Sequence, residues 1–439
     1  MPSLLQKLVI VVKLSNHDKK LQDIKYMQLL RFAMKNLYAW PEMILDEKPP
    51  KYHIYGKCYI FFIEFICLPP GLLYIKNSVG TISFLILGRT YITVFMNIVL
   101  RLILIFLKRY EKLVCDFVNK IHLFNHKHRS EYAIKYDESF LKIHALYIMF
   151  QTHLFVHKFS HFFSVYTAMA MVLGILLFTC TPIYKNIASG AFYNYKTGNV
   201  TFEHSVYYQL PFDYEHDIRG YALLFTFNWY ITFMCSSCFC TFDLLMALMV
   251  FHVWGHLKIL IRSLENFRRP TEKIGETERF SEEEMEQVSS ELKEIVKHHN
   301  LVIEFTTRMG AIFGHVLILY YIFHIVSGCV LLLECSQMNP EALIRYGSLT
   351  FLIFQQLTQI SIVFELLRTT SYNMINAVYS IPWECMDNSN RKTVHIILLQ
   401  SQRTLAIKAS DMVNVGVQTM ATIMKTSISY FIMLRTFAD

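Results

Sequence analysis

Eighteen histidines punctuate the chain, and several recur at the four-residue spacing that puts side chains on one helix face. His153, His157 and His161 form one such row, His252 and His256 a second, His122 and His126 a third, and His298-His299 is a doublet. Neutral imidazoles so arranged can ligate iron. An iron-binding histidine box also needs a histidine three residues before a His-His pair, and Ile295 stands there. These histidines are therefore expected to be solvated or at headgroup level. Cys235 and Cys238 give one Cys-x-x-Cys spacing, with Cys240 beside them. Without a second pair this reads as helix packing and not zinc. No Gly-rich phosphate loop or nucleophile elbow occurs. The expectation is no enzyme, no metal and no cofactor.

Charges inside apolar stretches say more, because they are costly at membrane depth. Glu64, Arg89, Asp243, Glu365 and Lys425 are the candidates. Arg101 and Glu365 lie near inner ends and can snorkel. Asp243 and Lys425 should face protein or water, lining a cavity or forming an ion pair. A second set is aromatic and aliphatic: Phe84, Tyr91 and Phe95; Met169, Val172 and Leu176; Phe225 and Trp229; Phe351, Phe354 and Gln355. Taken together, these could wall an apolar pocket with few polar groups.

The elements that carry these residues follow from composition. Of 439 residues 54% are hydrophobic and only 17% charged, and the mean hydropathy is +0.32. Soluble domains carry about 25% charge. Disorder and low complexity are excluded, and the ten cysteines sit mostly in apolar stretches, unlike a secreted disulfide framework. Seven segments can cross a membrane, near 54–75, 81–107, 159–184, 220–249, 309–333, 343–367 and 412–437. The fold class expected is all-α: a polytopic membrane protein with seven transmembrane helices forming one domain. The start, 1–14, carries no small-residue cleavage site and reads as no signal peptide.

Orientation follows from Lys and Arg. The N-terminal arm and the segments after the second, fourth and sixth crossings are rich in them: Lys108, Arg109 and Lys112 in one, Arg262, Arg268 and Arg269 in another. The opposite side has Lys76, Lys185 and Lys196 between crossings. The N-terminus is thus expected to be cytoplasmic and the C-terminus extracellular, the reverse of a G-protein-coupled receptor. The net charge of +8 has the same origin and needs no nucleic acid. The sequon Asn199-Val200-Thr201 falls in the long outer loop, a candidate glycosylation site. Several helices outrun the bilayer, from 220 to 264 and from 281 to 333, the latter opening on Ser281 and Glu284 as a capping box. With an amphipathic stretch at 391–408 they predict a cytoplasmic anchor bundle from about 250–308 and 368–411, packed between subunits.

The C-terminal third resembles an insect odorant receptor. The residues are Tyr379-Ser380-Ile381-Pro382-Trp383, Arg391-Lys392, Gln402-Arg403, Lys408-Ala409 and the closing run from Lys425-Thr426-Ser427 through Ser429-Tyr430-Phe431 to Leu434-Arg435, with His299 in the long fifth helix. Pro382-Trp383-Glu384, Met386-Asp387 and Asn390-Arg391 resemble the moth sex-pheromone-receptor branch. The loop after the fourth crossing lacks the long insertion of the shared co-receptor. The resemblance implies a ligand-tuning subunit of a ligand-gated, non-selective cation channel in the plasma membrane of olfactory sensory neurons. Its partners would be membrane lipids, the co-receptor in a heterotetramer, and a small apolar volatile ligand, here a long-chain acetate, aldehyde or alcohol. It places a pore gate at Met433 and the narrow outer pore at Thr436 and Phe437. The rival readings are a taste-receptor channel, a lipid-modifying enzyme using the histidines, and a transporter.

Overall fold

The structure, a computed structural model, describes residues 24–42, 45, 53–76, 79, 82–126, 140–194, 201–270, 273–274, 277–335, 346–410 and 412–438. Asn199 lies outside the described residues, as do the side chains of Phe84, Arg89, Arg101, His126 and Phe437. The helices are α1 Lys25–Asn36, α2 His53–Phe65, α3 Leu68–Ile75, α4 Ile82–Asn97, α5 Lys108–Asp116, α6 Phe140–Ala188, α7 Ala191–Asn194, α8 Ile218–Glu265, α9 Glu282–Cys335, α10 Ser348–Tyr379, α11 Asn388–Ser401 and α12 Val417–Ala438. Two antiparallel hairpins and several short π and 3-10 turns accompany them. β1 Lys273–Ile274 pairs with β2 Thr277–Glu278, Lys273 opposite Glu278, and β3 Lys408–Ala409 pairs with β4 Val413–Asn414, Lys408 opposite Asn414.

Among the described residues, five stretches are long and apolar enough to cross a membrane: His53–Ile75, Thr152–Ala188, Ile218–Glu265, Glu282–Cys335 and Ser348–Cys385. The first is broken between α2 and α3, where Pro69 and Pro70 lack amide donors and Pro stands in the first turn of α3. The expected single helix over 81–107 is instead α4, a π-helical turn Ile98–Leu102 and a short 3-10 turn Leu104–Phe106. The change of pitch follows Asn97, whose Nδ2 donates to Glu64 Oε2 at 2.6 Å, a contact that ties α4 to α2.

Helix α8 is the core, since 83% of its most apolar window is buried against 28% for the corresponding stretch of α6. It packs on α6 and α10, while α9 packs on α12 and α4. The apolar surface of α6 is thus turned outward, as lipid contact requires. At about 1.5 Å per residue, α8 with 48 residues and α9 with 54 are more than twice the length needed for a hydrocarbon core of about 30 Å. The C-terminal part of α8 and the N-terminal part of α9 pack together with α1, α5 and α11. Charged pairs fasten this bundle: Arg308 to Asp116 at 2.6 Å, Arg268 to Glu291 at 3.0 Å and the buried Lys57 to Glu111 at 2.8 Å. The capping box is present, with the Ser281 amide donating to Glu284 Oε2 at 2.9 Å and the Glu284 amide to Ser281 Oγ at 3.3 Å.

Candidate functional site

Helices α4, α6, α8 and α10, with Phe323 of α9, line a half-open cavity of about 250 Å³. Small and aliphatic residues make most of its wall, among them Val94, Ala170, Gly174, Ile231, Leu352 and Ile353. Its polar groups come from all four helices, and three glutamines of α10 link them to α6 and α8. Gln355 Nε2 donates to Gln359 Oε1 at 2.6 Å, and Gln359 Nε2 donates to Thr167 Oγ1 at 3.3 Å. Gln356 Nε2 donates to the buried Asp243 carboxylate across α10 and α8. The cavity is therefore apolar along its length, with a chain of amides on the α10 side.

One end is closed by the segment 201–217, which contributes Val206 and Tyr208. Side chains from α8 and α4, and one from the segment itself, hold its backbone. Asn228 Nδ2 donates to the Val206 carbonyl at 3.0 Å, the Tyr91 hydroxyl donates to the Tyr207 carbonyl, and the Tyr214 hydroxyl donates to the Tyr208 carbonyl at 2.7 Å. Asn186 clasps Glu203 from both sides, accepting its amide at 2.8 Å and donating to its carbonyl at 3.0 Å. Gly220 is required where this segment meets α8, because a Cβ there would run into the Asp213 carbonyl. Burial lowers the pKa of His204 in this segment.

Of the residues expected to bind ligand, Gln355 lines the cavity. Tyr91 is buried beside it, edge-on to Tyr208 at 5.9 Å. Phe354 packs toward Gly328 of α9, and Phe225 packs on a small aromatic cluster with Phe202 and Tyr221. Phe95, Met169, Val172, Trp229 and Phe351 are exposed, as is Leu176. Most of these residues thus lie on faces of α4, α6, α8 and α10 that do not line the cavity. Bulky aromatic side chains point outward where lipid accommodates them, and a void persists where small residues leave room. Thr93, Asn228 and Gln359 were missed, although each is a polar residue inside an apolar stretch. That interruption was the available signal.

Four histidines correct the expectation of solvation, whereas His161 is exposed as expected. His122, His252, His256 and His299 are buried where α1, the turn after α5, α8 and α9 pack together. Tyr26 of α1 gathers three of the rings: its hydroxyl lies 2.9 Å from His122 Nε2, 2.9 Å from His157 Nδ1 and 3.3 Å from His252 Nε2. The Leu123 amide donates to His252 Nδ1 at 3.2 Å and the Phe124 amide to His122 Nδ1 at 3.3 Å. Both rings therefore carry their hydrogen on Nε2 and donate it to Tyr26, which donates its own to His157. Burial, followed by the neighbouring histidines, pushes the His252 pKa well below its usual value, and burial pushes that of His299 down to about 4. Among the described residues no group of three or more His, Cys, Asp or Glu is arranged to hold a metal. Cys235 and Cys238 are buried in α8.

A carboxylate of α10 also holds the start of the last helix. Glu365 of α10 accepts from Arg368 Nη2 at 2.7 Å and from the Val417 amide, the first of α12, at 3.3 Å. A Cβ at residue 416 would strike this carboxylate, so Gly416 permits the contact. Farther along α12, Met433 and Thr436 are exposed.

The family model described as 7tm Odorant receptor matches residues 84–428. Odorant receptor Or2 of Anopheles gambiae is 26% identical over 147 residues, 33% of this chain and 39% of that protein. Odorant receptor 85c of Drosophila melanogaster is 24% identical over 233 residues, 52% of this chain and 55% of that protein. The chain thus spans about half or less of the length of these relatives. The olfactory receptor OR5 of Machilis hrabei has a similar fold over 98% of both chains, with a TM-score of 0.71 at 12% identity. The same receptor in complex with eugenol matches over 94% of this chain and 97% of its own, with a TM-score of 0.65 at 14% identity.

Proposed function

Because this chain belongs to the insect odorant receptor family, we propose that it is the ligand-tuning subunit of an odorant-gated, non-selective cation channel. It crosses the membrane seven times with the N-terminus inside, and it joins the shared co-receptor in a heterotetramer in olfactory sensory neurons. The observation that carries the ligand reading is the cavity of about 250 Å³ between α4, α6, α8 and α10. Its wall suits a hydrocarbon chain, worth about 0.8 kcal/mol for each buried CH₂. Its amides suit one polar head, because a glutamine amide can donate to an ester or aldehyde oxygen and accept from an alcohol. A long-chain acetate, aldehyde or alcohol of the moth sex-pheromone kind meets both requirements.

Ligand would favour the conducting state by binding it more tightly than the closed one. Helix α10 both lines the cavity and holds the foot of α12 through Glu365, so a shift of α10 reaches the proposed pore helix directly. The gate is assigned to Met433, with Thr436 and Phe437 beyond it. Subunit contact falls to the bundle of 250–308 and 368–411, where Ile396 and Leu399 of α11 are exposed. The deciding experiment is current recording from cells expressing this chain with the co-receptor, challenged with acetates, aldehydes and alcohols of graded length. Ligand-evoked, cation-carried current that needs both subunits is expected. Silence to the whole panel at normal surface expression would refute the reading.

A further inference from the structure

Helix α12 has one packed face. Ile423 and Ser427 are buried there, and Ser427 Oγ donates to the Ile325 carbonyl of α9 at 3.3 Å. On the opposite side lie Gln418, Thr422, Lys425, Ser429 and Thr436, all exposed. At 3.6 residues per turn these five fall within an arc of roughly 60°. The arc is polar from end to end, in a helix whose other exposed positions include Ile428, Ile432 and Met433. Lipid cannot solvate such a stripe, because an ammonium and an amide at membrane depth need water or protein around them.

The hydroxyls are already oriented. Thr422 donates to the Gln418 carbonyl at 3.1 Å, Ser429 to the Lys425 carbonyl at 3.0 Å and Thr436 to the Ile432 carbonyl at 2.9 Å. With its hydrogen committed to the helix, each oxygen keeps lone pairs for outside partners. A row of such oxygens suits a hydrated cation. Lys425 is the exception in that row. It sits eight residues into the helix, about 12 Å along its axis, and it carries a fixed positive charge.

We infer that the Lys425 ammonium stands in the water-filled path beside α12 and sets this subunit's share of ion selectivity, disfavouring divalent cations relative to monovalent ones. The inference rests on the channel reading above. A doubly charged ion feels twice the repulsion of a singly charged one from the same fixed charge. One unit charge about 6 Å from the ion, in the dielectric of bulk water, changes the divalent-to-monovalent ratio roughly threefold.

The test uses the chain co-expressed with the co-receptor, with reversal potentials measured under calcium against sodium. Lys425→Met and Lys425→Gln should each raise relative calcium permeability about threefold, and Lys425→Glu should raise it further. In a second arm a charged, membrane-impermeant thiosulfonate is applied during ligand-evoked current to Lys425→Cys, Ser429→Cys and Ile423→Cys, against wild type as the thiol background. Modification of the first two and not the third is expected. Ser429→Cys keeps this arm usable if the Lys425 variants fail to reach the surface. Robust currents with unchanged reversal potentials in all three charge variants would overturn the role of Lys425 alone. Protection of both stripe cysteines would show that α12 turns this face to lipid or to a neighbouring subunit, and would overturn it too. Absence of ligand-evoked current in the wild-type pair would overturn the channel reading and this inference with it.

Discussion

The Tyr26 hydroxyl lies 3.3 Å from His252 Nε2, although 226 residues separate the two. Through that contact the short α1 is fastened to α8, and through those to His122 and His157 it is fastened to the turn after α5 and to α6. Tyr26→Phe removes the shared oxygen and strands two buried imidazole N–H groups, at a cost of about 1–3 kcal/mol. Thermal unfolding of the detergent-purified protein should shift down, and the fraction at the cell surface should fall. An unchanged melting temperature would separate α1 from the stability of the bundle.

Acid should loosen the same region. His252 and His299 have pKa values depressed by burial, His299 to about 4, whereas an unfolded histidine takes up a proton near pH ~6.5. The unfolded chain therefore binds more protons than the folded one below about pH 6.5. The stabilisation from neutral burial is complete above that pH and is lost as pH falls toward 4. A melting temperature that declines from pH 7 to pH 5, with a shallower slope in His299→Gln, is the expected record.

The cavity can be reshaped without touching the proposed pore. Met171→Ala enlarges it and should shift preference toward longer chains, and Ala170→Phe fills it and should weaken all ligands. Gln355→Leu removes a donor from the amide chain. It should reduce sensitivity to ligands with a polar head by about tenfold, equivalent to one hydrogen bond of roughly 1.4 kcal/mol. Dose–response curves across the panel measure this. Identical tuning in all three variants would move the binding site elsewhere.

Met433 is exposed near the end of α12, where a thioether can close a narrow pore by dewetting. Met433→Ala should raise basal current, and Met433→Lys should alter cation permeability, without complete loss because the other subunits contribute. If basal current, selectivity and block are all unchanged at normal expression, Met433 does not line the pore.

The proposed orientation has its own check. An epitope after Asp439 should stain in unpermeabilised cells and one before Met1 should not, as the Lys and Arg distribution requires. The reverse pattern would remove the topology and the channel reading together.

The all-helical class was legible because apolar runs longer than a bilayer admit few other solutions, and the Ser281–Glu284 box marked the start of α9. The broken α2–α3 stretch was foreshadowed by Pro69 and Pro70, but the π-turn after Asn97 was not, because pitch there accompanies a contact with Glu64 from a distant helix. Which face of each crossing looks inward was hidden for a similar reason. In a membrane both faces are apolar, so periodicity carries little information. Met169 and Phe351 face outward while Met171 and Leu352 line the cavity, a difference of one or two residues that packing alone decides. Four histidines were misjudged because their burial depends on α1, α8 and α9 meeting, which no local pattern reports.

The wall formed by 201–217 has a consequence in time. Asn186, Asn228 and Tyr91 all grip its backbone, so a molecule leaving on that side must wait for several hydrogen bonds to release together. Its residence is then governed by the opening rate of the wall more than by the contacts inside. A brief pulse of stimulus would be stretched to the wall's own relaxation time. Two molecules of equal affinity would leave the same afterimage if they exit by this side, however differently they fit.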